Sequence, residues 1–505
     1  MEKLLETKNN LPVRISDIPI VSYSKFFEVI TFLLRSQDFH ILTYFVHHTE
    51  EGLQFICAIA DDPNKSISII SHIIPKGSPL KLYSLMPKYD VFHSFERDIH
   101  EKYGVVFEDN HFLKPLRYSH DRVNQASKIT DYPFYKIDGN EVHEVGVGPI
   151  HAGIIEPGHF RFQCAGERVL HLEIQLGWQH RGIEHLFLHK TKLNQRATLA
   201  EQVAGDTAVS HALAYSQVIE SLAGLKIREK LNYERVIALE LERIGMHLFD
   251  LSNLSTGAAY QLGNATLSVL RTPTINFLQT WCGNRFAKGL IRPGGTYYPF
   301  TKELQEKMLT YLDDLELRYV EIADKYLNLS GIVLRFQNAG TLSRKQVYMI
   351  GGVGITAKMA GLKRDTRWSH PFAGYHDLHH EPVIFDTGDI YARIQVRHYE
   401  ILQSIKYLRR IASIMNFQNE VPTPISDSNI RLAKNCLTIS ITEGWRGEIV
   451  HAAVTNESGE ISTYKIKDPS FHNWWALALS MRDREISDFP INNKSYDLSY
   501  CGHDL

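Results

Sequence analysis

The sequence predicts an α+β chain, with a small N-terminal α+β unit followed by a mainly helical bundle with peripheral β-strands. Three observations carry this prediction. Short apolar bursts with strand periodicity fill residues 1–125, long helical stripes begin near Leu193, and strand patterning returns after about Asn429. At 505 residues the chain exceeds what one ordinary core holds, so two or three domains are expected.

In the N-terminal unit, residues 1–125, the apolar side chains from Ser24 to Ser36 have helical spacing. The stretches HILTYFVHHT (His40 to Thr49), LQFICAIAD (Leu53 to Asp61) and ISIISHIIP (Ile67 to Pro75) read as strands. Glu96, Arg97, His100 and Glu101 share one side of a short helix stopped by Gly104, and their spacing alone predicts a solvated face with local ion pairs. Residues 126–144 are polar and turn-rich and read as a linker to the second unit, residues 145–505.

The second unit opens with a strand between Val169 and Trp178. Leu241, Ile244, Leu248 and Leu251 then form an apolar stripe beside Glu240, Arg243 and His247. A longer stripe runs from Leu304 through Met308, Leu312, Leu315, Tyr319 and Ile322 to Tyr326. Between the two, Arg292-Pro293-Gly294-Gly295 forms a break that no helix continues through. Leu437 to Asn456 and Ile461 to Asp468 read as a hairpin pair, and the tail as a short helix followed by a mainly irregular end.

Composition narrows the function. A formal net charge of −2 creates no field for nucleic acid, which is excluded as a partner. Five cysteines without a CxxC pair suit a reducing cytosol and form neither a disulfide framework nor a zinc site. The N-terminus lacks the apolar core of a signal peptide, and no segment approaches the roughly 18–20 apolar residues of a membrane span, so a soluble chain docking on something embedded is expected. Gly351-Gly352-Val353-Gly354 lacks the spacing and acidic partner of a dinucleotide fingerprint and reads as a close backbone approach. His376, His379 and His380 read as an exposed polar loop.

Three segments carry the chemistry: GPIHAGIIEPGHFRF from Gly148, GWQHRGIEHLF from Gly177 and EQVAGDTAVSHALAY from Glu201. Their order and spacing resemble the large subunit of NiFe hydrogenases of the hydrogenase-4 and formate-hydrogenlyase type (group 4), and the respiratory complex I subunit descended from them. In those hydrogenases Arg-Gly-x-Glu precedes Cys-Gly-x-Cys-x-x-x-His, and a second Cys-x-x-Cys follows Asp-Pro near the C-terminus. Here Arg181, Gly182, Glu184, Gly205 and His211 are retained, but the four ligand positions fall on Ala204, Thr207, Ser470 and Asn473, the last two after Asp468-Pro469. A methyl, two hydroxyls and an amide do not replace soft thiolates, so a nickel–iron centre is not expected. The resemblance continues through Ile291 to Gly295, Gly388 to Arg393 with Arg397 and Glu400, Glu443 to Glu448, and Lys467 to Asn473. Phe95 to Leu116 resembles the thirty-kilodalton-type subunit of complex I.

The resemblance implies a peripheral-arm subunit of a complex-I-like, hydrogenase-4-related membrane oxidoreductase on the cytoplasmic side of the membrane, inactive in isolation. Its partners would be a small iron–sulfur subunit, a ferredoxin-like subunit and antiporter-like membrane subunits. No cofactor is expected on this chain alone; the iron–sulfur cluster would belong to the partner, with a quinone as a further ligand. His151, His159, Glu184 and His211 are the candidates for a proton or quinone cavity, and Arg181 and Arg292 for fixed charge beside the partner's cluster. Arg181 and Glu184 have the alternative of a buried structural ion pair. Complex I carries a tyrosine at the start of the His211 helix that bonds a quinone headgroup, and here that position falls on Gly205. A redox-inactive scaffold, and an active NiFe hydrogenase, are the competing readings.

Overall fold

The computed structural model describes residues 4–418 and 421–505. Elements are numbered along the chain. The N-terminal unit comprises β1 (Leu5–Thr7), β2 (Val13–Arg14), α1 (Tyr23–Leu33), β3 (Phe39–His48), β4 (Gly52–Asp61), β5 (Ser66–Pro75), β6 (Lys81–Tyr83), α2 (Phe92–Tyr103) and β7 (Val106–Glu108). The Ser22 hydroxyl caps α1 by accepting from the Lys25 N–H, and α1 buries Phe26 and Ile30. Strands β1, β5, β4 and β3 form an antiparallel sheet in that order, with Cys57 opposite Ile70 on one side and Tyr44 on the other.

A three-stranded meander follows: β8 (Val142–Val147), β9 (His159–Ala165) and β10 (Arg168–Gln175). Then come α3 (Ile183–His189), α4 (Leu193–Ala200), α5 (Ala208–Leu222), α6 (Glu229–Gly257), α7 (Gln261–Cys282) and α8 (Lys302–Asn328). Four short helices, α9 (Ser330–Phe336), α10 (Arg344–Met349), α11 (Ile355–Lys358) and α12 (Thr366–Ser369), lead to the long α13 (Ile390–Ile414). The two apolar stripes meet in one core, where Leu241, Ile244, Leu248 and Leu251 of α6 join Met308, Leu312, Leu315 and Tyr319 of α8.

The chain closes with β11 (Cys436–Glu443), β12 (Glu448–Thr455), β13 (Ile461–Lys467), α14 (Ser470–Ser480), α15 (Phe489–Tyr496) and α16 (Tyr500–Asp504). The closing sheet has the order β13-β12-β11-β2, so Arg14 of the N-terminal unit pairs with Cys436. Its apolar side meets the N-terminal sheet: Leu42, Phe45 and Ile56 pack with Leu437, Ile439 and Val450. The architecture is α+β, as predicted.

Three local expectations are corrected. The polar side of α2 is buried, not solvated: Glu96, Arg97, Asp98 and Glu101 are all less than a tenth exposed. Glu101 accepts from the N–H groups of Leu116, Arg117 and Ser119, and Arg97 donates to the carbonyls of Lys114 and Pro115, so this side clamps a loop. The tail is mostly helical rather than irregular, because Pro490 sits in the first turn of α15 and Ser499 caps α16. His380 is buried against the Tyr407 hydroxyl and the Asp365 carboxylate, whereas His376 and His379 are exposed as expected.

Gly354 is the close backbone approach anticipated for the glycine run. It has φ +58°, and a Cβ there would stand 2.0 Å from the Arg446 carbonyl oxygen. Gly354→Ala is therefore expected to cost several kcal/mol, on the order of 3 or more from backbone strain and overlap together. Thermal unfolding checks this, and a midpoint within 1–2 °C of wild type would contradict it.

Candidate functional site

The former ligand positions lie where three segments meet: the loop from Glu201 to Thr207 before α5, the turn between β11 and β12, and the start of α14. Ala204, Thr207, Ser470 and Asn473 are all buried. Arg446, on the turn, donates from both terminal nitrogens to the Asp206 carboxylate at 2.7 Å and to the Thr207 hydroxyl at 3.1 Å. Its guanidinium lies 3.9 Å from the Trp445 ring centre, and the Trp445 indole donates to the Asp206 carbonyl. Glu242 secures the α5 end by accepting from Val209 N–H and the Ser210 hydroxyl, and burial pushes its carboxyl up to about 7.

The other two positions are also committed. Asn473 accepts from Val353 N–H and donates to Val353 C=O, pinning the glycine run, while the Ser470 hydroxyl accepts from Ser499 N–H. The donor set does not fit nickel or iron: no thiolate is present, the hydroxyls and amide are bonded elsewhere, and a fixed cation sits against Thr207. Among the described residues no group of three or more His, Cys, Asp or Glu side chains is arranged to hold a metal ion.

Asp468 and His211 bridge the two halves. Asp468 accepts from Ser470 N–H and stands 3.1 Å from His211 Nε2. His211 Nδ1 lies 3.0 Å from His451 Nε2, and His451 Nδ1 lies 2.8 Å from the Tyr464 hydroxyl. All four side chains are buried. Burial, with the imidazole of His211 close by, holds the His451 imidazole well below its ordinary range, so it is neutral.

Beneath the turn lies a buried charge network. Arg243 donates to the carbonyls of Glu443 and Gly444, supporting the turn from α6. Lys358 bridges Asp365, Glu400 and Glu443 at 2.7, 2.7 and 3.0 Å. Arg367 forks onto Asp365, and His247 bonds Glu400 at 2.8 Å. Burial raises Glu443 to about 7 even beside Lys358, so this carboxyl can exchange a proton near neutrality.

The predicted site residues separate into groups. His211 is in the site. His151 and His159 bond the carbonyls of Gly158 and Gly148, closing their loop on itself rather than reaching His211. Glu184 and Arg181 do not pair with each other. Glu184 is held by Lys102 and Lys465, each at 2.7 Å, and by Ile466 N–H, while Arg181 donates to the carbonyls of Gln202, Val203 and Cys501. Arg292 pairs with Glu201. Sequence reasoning missed Arg446, His451, Lys358 and Arg367; for Arg446 the available signal was its place between two glycines in a family-like turn.

A helical bundle closed by a C-terminal sheet, with a ligand frame kept in outline and refilled by an arginine–aspartate pair, defines a hydrogenase-type large subunit without its thiolates. The family described as respiratory-chain NADH dehydrogenase, 49 Kd subunit, matches residues 264–435. The membrane-bound hydrogenase subunit alpha of Pyrococcus furiosus is 30% identical over 372 residues, 70% of this chain and 85% of the relative. Hydrogenase-4 component G of Escherichia coli is 24% identical over 422 residues, covering 80% of this chain and 72% of the relative. Formate hydrogenlyase subunit 5 of Escherichia coli is 23% identical over 473 residues, covering 92% and 82%. The chain belongs to this family of membrane-bound hydrogenase large subunits and complex I 49 Kd subunits. Its relatives are subunits of oxidoreductase complexes. No helix among its described residues is long and apolar enough to cross a membrane.

Proposed function

We propose that this chain is a peripheral-arm subunit of a complex-I-like, hydrogenase-4-related membrane oxidoreductase. Its refilled site handles protons beside an iron–sulfur cluster held by a small partner subunit, and couples electron transfer to ion translocation without a nickel–iron centre. The observation that carries this reading is the Arg446–Asp206 pair seated on Thr207, next to the buried Asp468–His211–His451 row. Fixed positive charge beside the neutral His451 imidazole suits proton transfer, and nothing in the donor set suits hydrogen activation.

The rim of the site supports a partner docked there. Gly205 is exposed, with open space where a Cβ would stand. Arg181 reaches the Cys501 carbonyl, and Cys501 N–H reaches Glu156 on the 148–159 loop, whose Ile150 and Ile154 are 80% and 87% exposed. Ferredoxin-like and antiporter-like subunits would complete the complex, and the space at Gly205 is where a quinone would enter.

The test is made on the assembled complex. His211→Phe is expected to lower coupled turnover by about 100-fold or more with assembly intact. Unchanged turnover would remove the proton role, and stoichiometric nickel on this subunit would overturn the reading as a whole. A redox-inactive scaffold is the second reading, favoured by the sheet shared between the two units. It predicts that His211→Phe alters assembly and not turnover.

A further inference from the structure

We propose that the cavity between α2, β10 and α14 binds a small planar oxyanion of the carboxylate class, held as the counter-ion that buried Arg97 lacks. The cavity has a volume of about 40 Å³, and its lining includes His93 and Arg97 of α2, Phe112, Trp474 and Trp475 of α14, and His503 of α16. None of Asp206, His211, Arg446 or Asp468 borders it.

The unpaired charge carries the argument. Arg97 is only 6% exposed, yet among the described residues no carboxylate lies within ion-pair distance of it. Its Nε and Nη2 donate to the carbonyls of Lys114 and Pro115, and Nη1 makes no hydrogen bond. The carboxylates around it are committed elsewhere. Asp98 is taken by Arg117 and Lys465, Glu101 by the N–H groups of Leu116 and Ser119, and Glu173 by Lys114 and the Tyr135 N–H. A buried charge without a counter-ion is strongly unfavourable, so buried charges in proteins are paired.

Ring contacts place the guanidinium at the cavity wall. It lies 5.1 Å from the Phe112 ring centre, Phe112 is 5.0 Å from Trp475, and Trp475 is 4.3 Å from His93, one helical turn before Arg97. Burial and then the Arg97 charge hold His93 well below its ordinary range, so this imidazole adds no positive charge of its own. Arg482, exposed and without an ion-pair partner among the described residues, lines the same cavity and adds a second cation on its solvent side.

Size sets the ligand class. At roughly 10–15 Å³ of such space per water, the cavity holds about three waters, the room that an anion of three or four heavy atoms needs. A guanidinium matches the two coplanar oxygens of a carboxylate. Bicarbonate and acetate fall within this class, whereas a tetrahedral phosphate is too large. A bound anion ties α2 of the N-terminal unit to α14, the helix that carries Ser470 and Asn473.

The experiment titrates the full chain with acetate, bicarbonate and phosphate at constant pH and ionic strength, with Trp474 and Trp475 as fluorescent reporters. Wild type is expected to show a saturable change with acetate and bicarbonate and none with phosphate. At a hundredfold excess over Kd the unfolding midpoint should rise by about 2 °C or more. Arg97→Gln should abolish the response. Arg482→Gln, which breaks no ion pair within the chain, should weaken binding about threefold or more, and it keeps the test open where Arg97→Gln does not fold. No saturable change in wild type, a response that phosphate reproduces, or wild-type affinity in either folded variant overturns the proposal.

Discussion

Replacing Glu400 by glutamine is expected to lower the unfolding temperature by roughly 5–10 °C. Glu400 is fully buried and faces Lys358, Arg243, Arg367 and His247. Burial alone would raise its pKa, but the three cations hold it well below the carboxylate range. Glutamine keeps the shape and removes the charge, leaving Lys358, Arg243 and Arg367 buried against Glu240, Asp365 and a Glu443 that is partly protonated near neutrality. Breaking one side of a buried pair costs about 3–5 kcal/mol. Glu321→Gln is the control, because its pair with Lys325 is exposed and screened by solvent, so its loss should leave the midpoint unchanged. A Glu400→Gln midpoint within 2 °C of wild type would show that the network is compensated elsewhere.

The second large effect is in acid. Burial would raise Glu184, but Lys102 and Lys465 bring it down to about 2, below the roughly 4.3 of an unfolded glutamate. A depressed carboxylate stabilises the fold above its unfolded pKa, and that contribution is lost as pH falls through the folded value. The window therefore runs from about pH 4.3 down to about 2, and a gap of this size corresponds to about 3 kcal/mol. Asp98 and Glu448 lie in the same seam between the units and are also held low, against burial, by Lys102, Lys465 and Arg117 for the first and by Lys467 and His40 for the second. Acid should thus open the seam. Followed by tryptophan fluorescence, Glu184→Gln should be less stable than wild type at pH 6 and show a shallower loss between pH 4.3 and 2. Parallel curves would contradict this.

Much of the fold was legible because amphipathic period is a local property. The stripes of α6 and α8 and the alternation of β3, β4 and β5 needed no tertiary knowledge. The α2 face was misread because spacing shows which residues share a side, not what covers it; here the Lys114 to Ser119 loop does. His380 was misread for the same reason, since its partners Asp365 and Tyr407 lie on other elements. At the site, motif order exposed the lost ligand positions. It did not expose what replaced them, because Arg446 and Asp206 are 240 residues apart and meet only in the fold. Likewise, His211 and Asp468 were found by motif, while their neighbour His451 was set by the register of the closing sheet.

The pairing of Arg14 with Cys436 also sets a timetable for the nascent chain. Val13 and Arg14 must wait for a strand made on the order of 400 residues later, roughly 20–80 s at ordinary synthesis rates. During that interval Leu42, Phe45 and Ile56 on the N-terminal sheet have no cover from the closing sheet. Separate synthesis of the two units would leave each with an open apolar face.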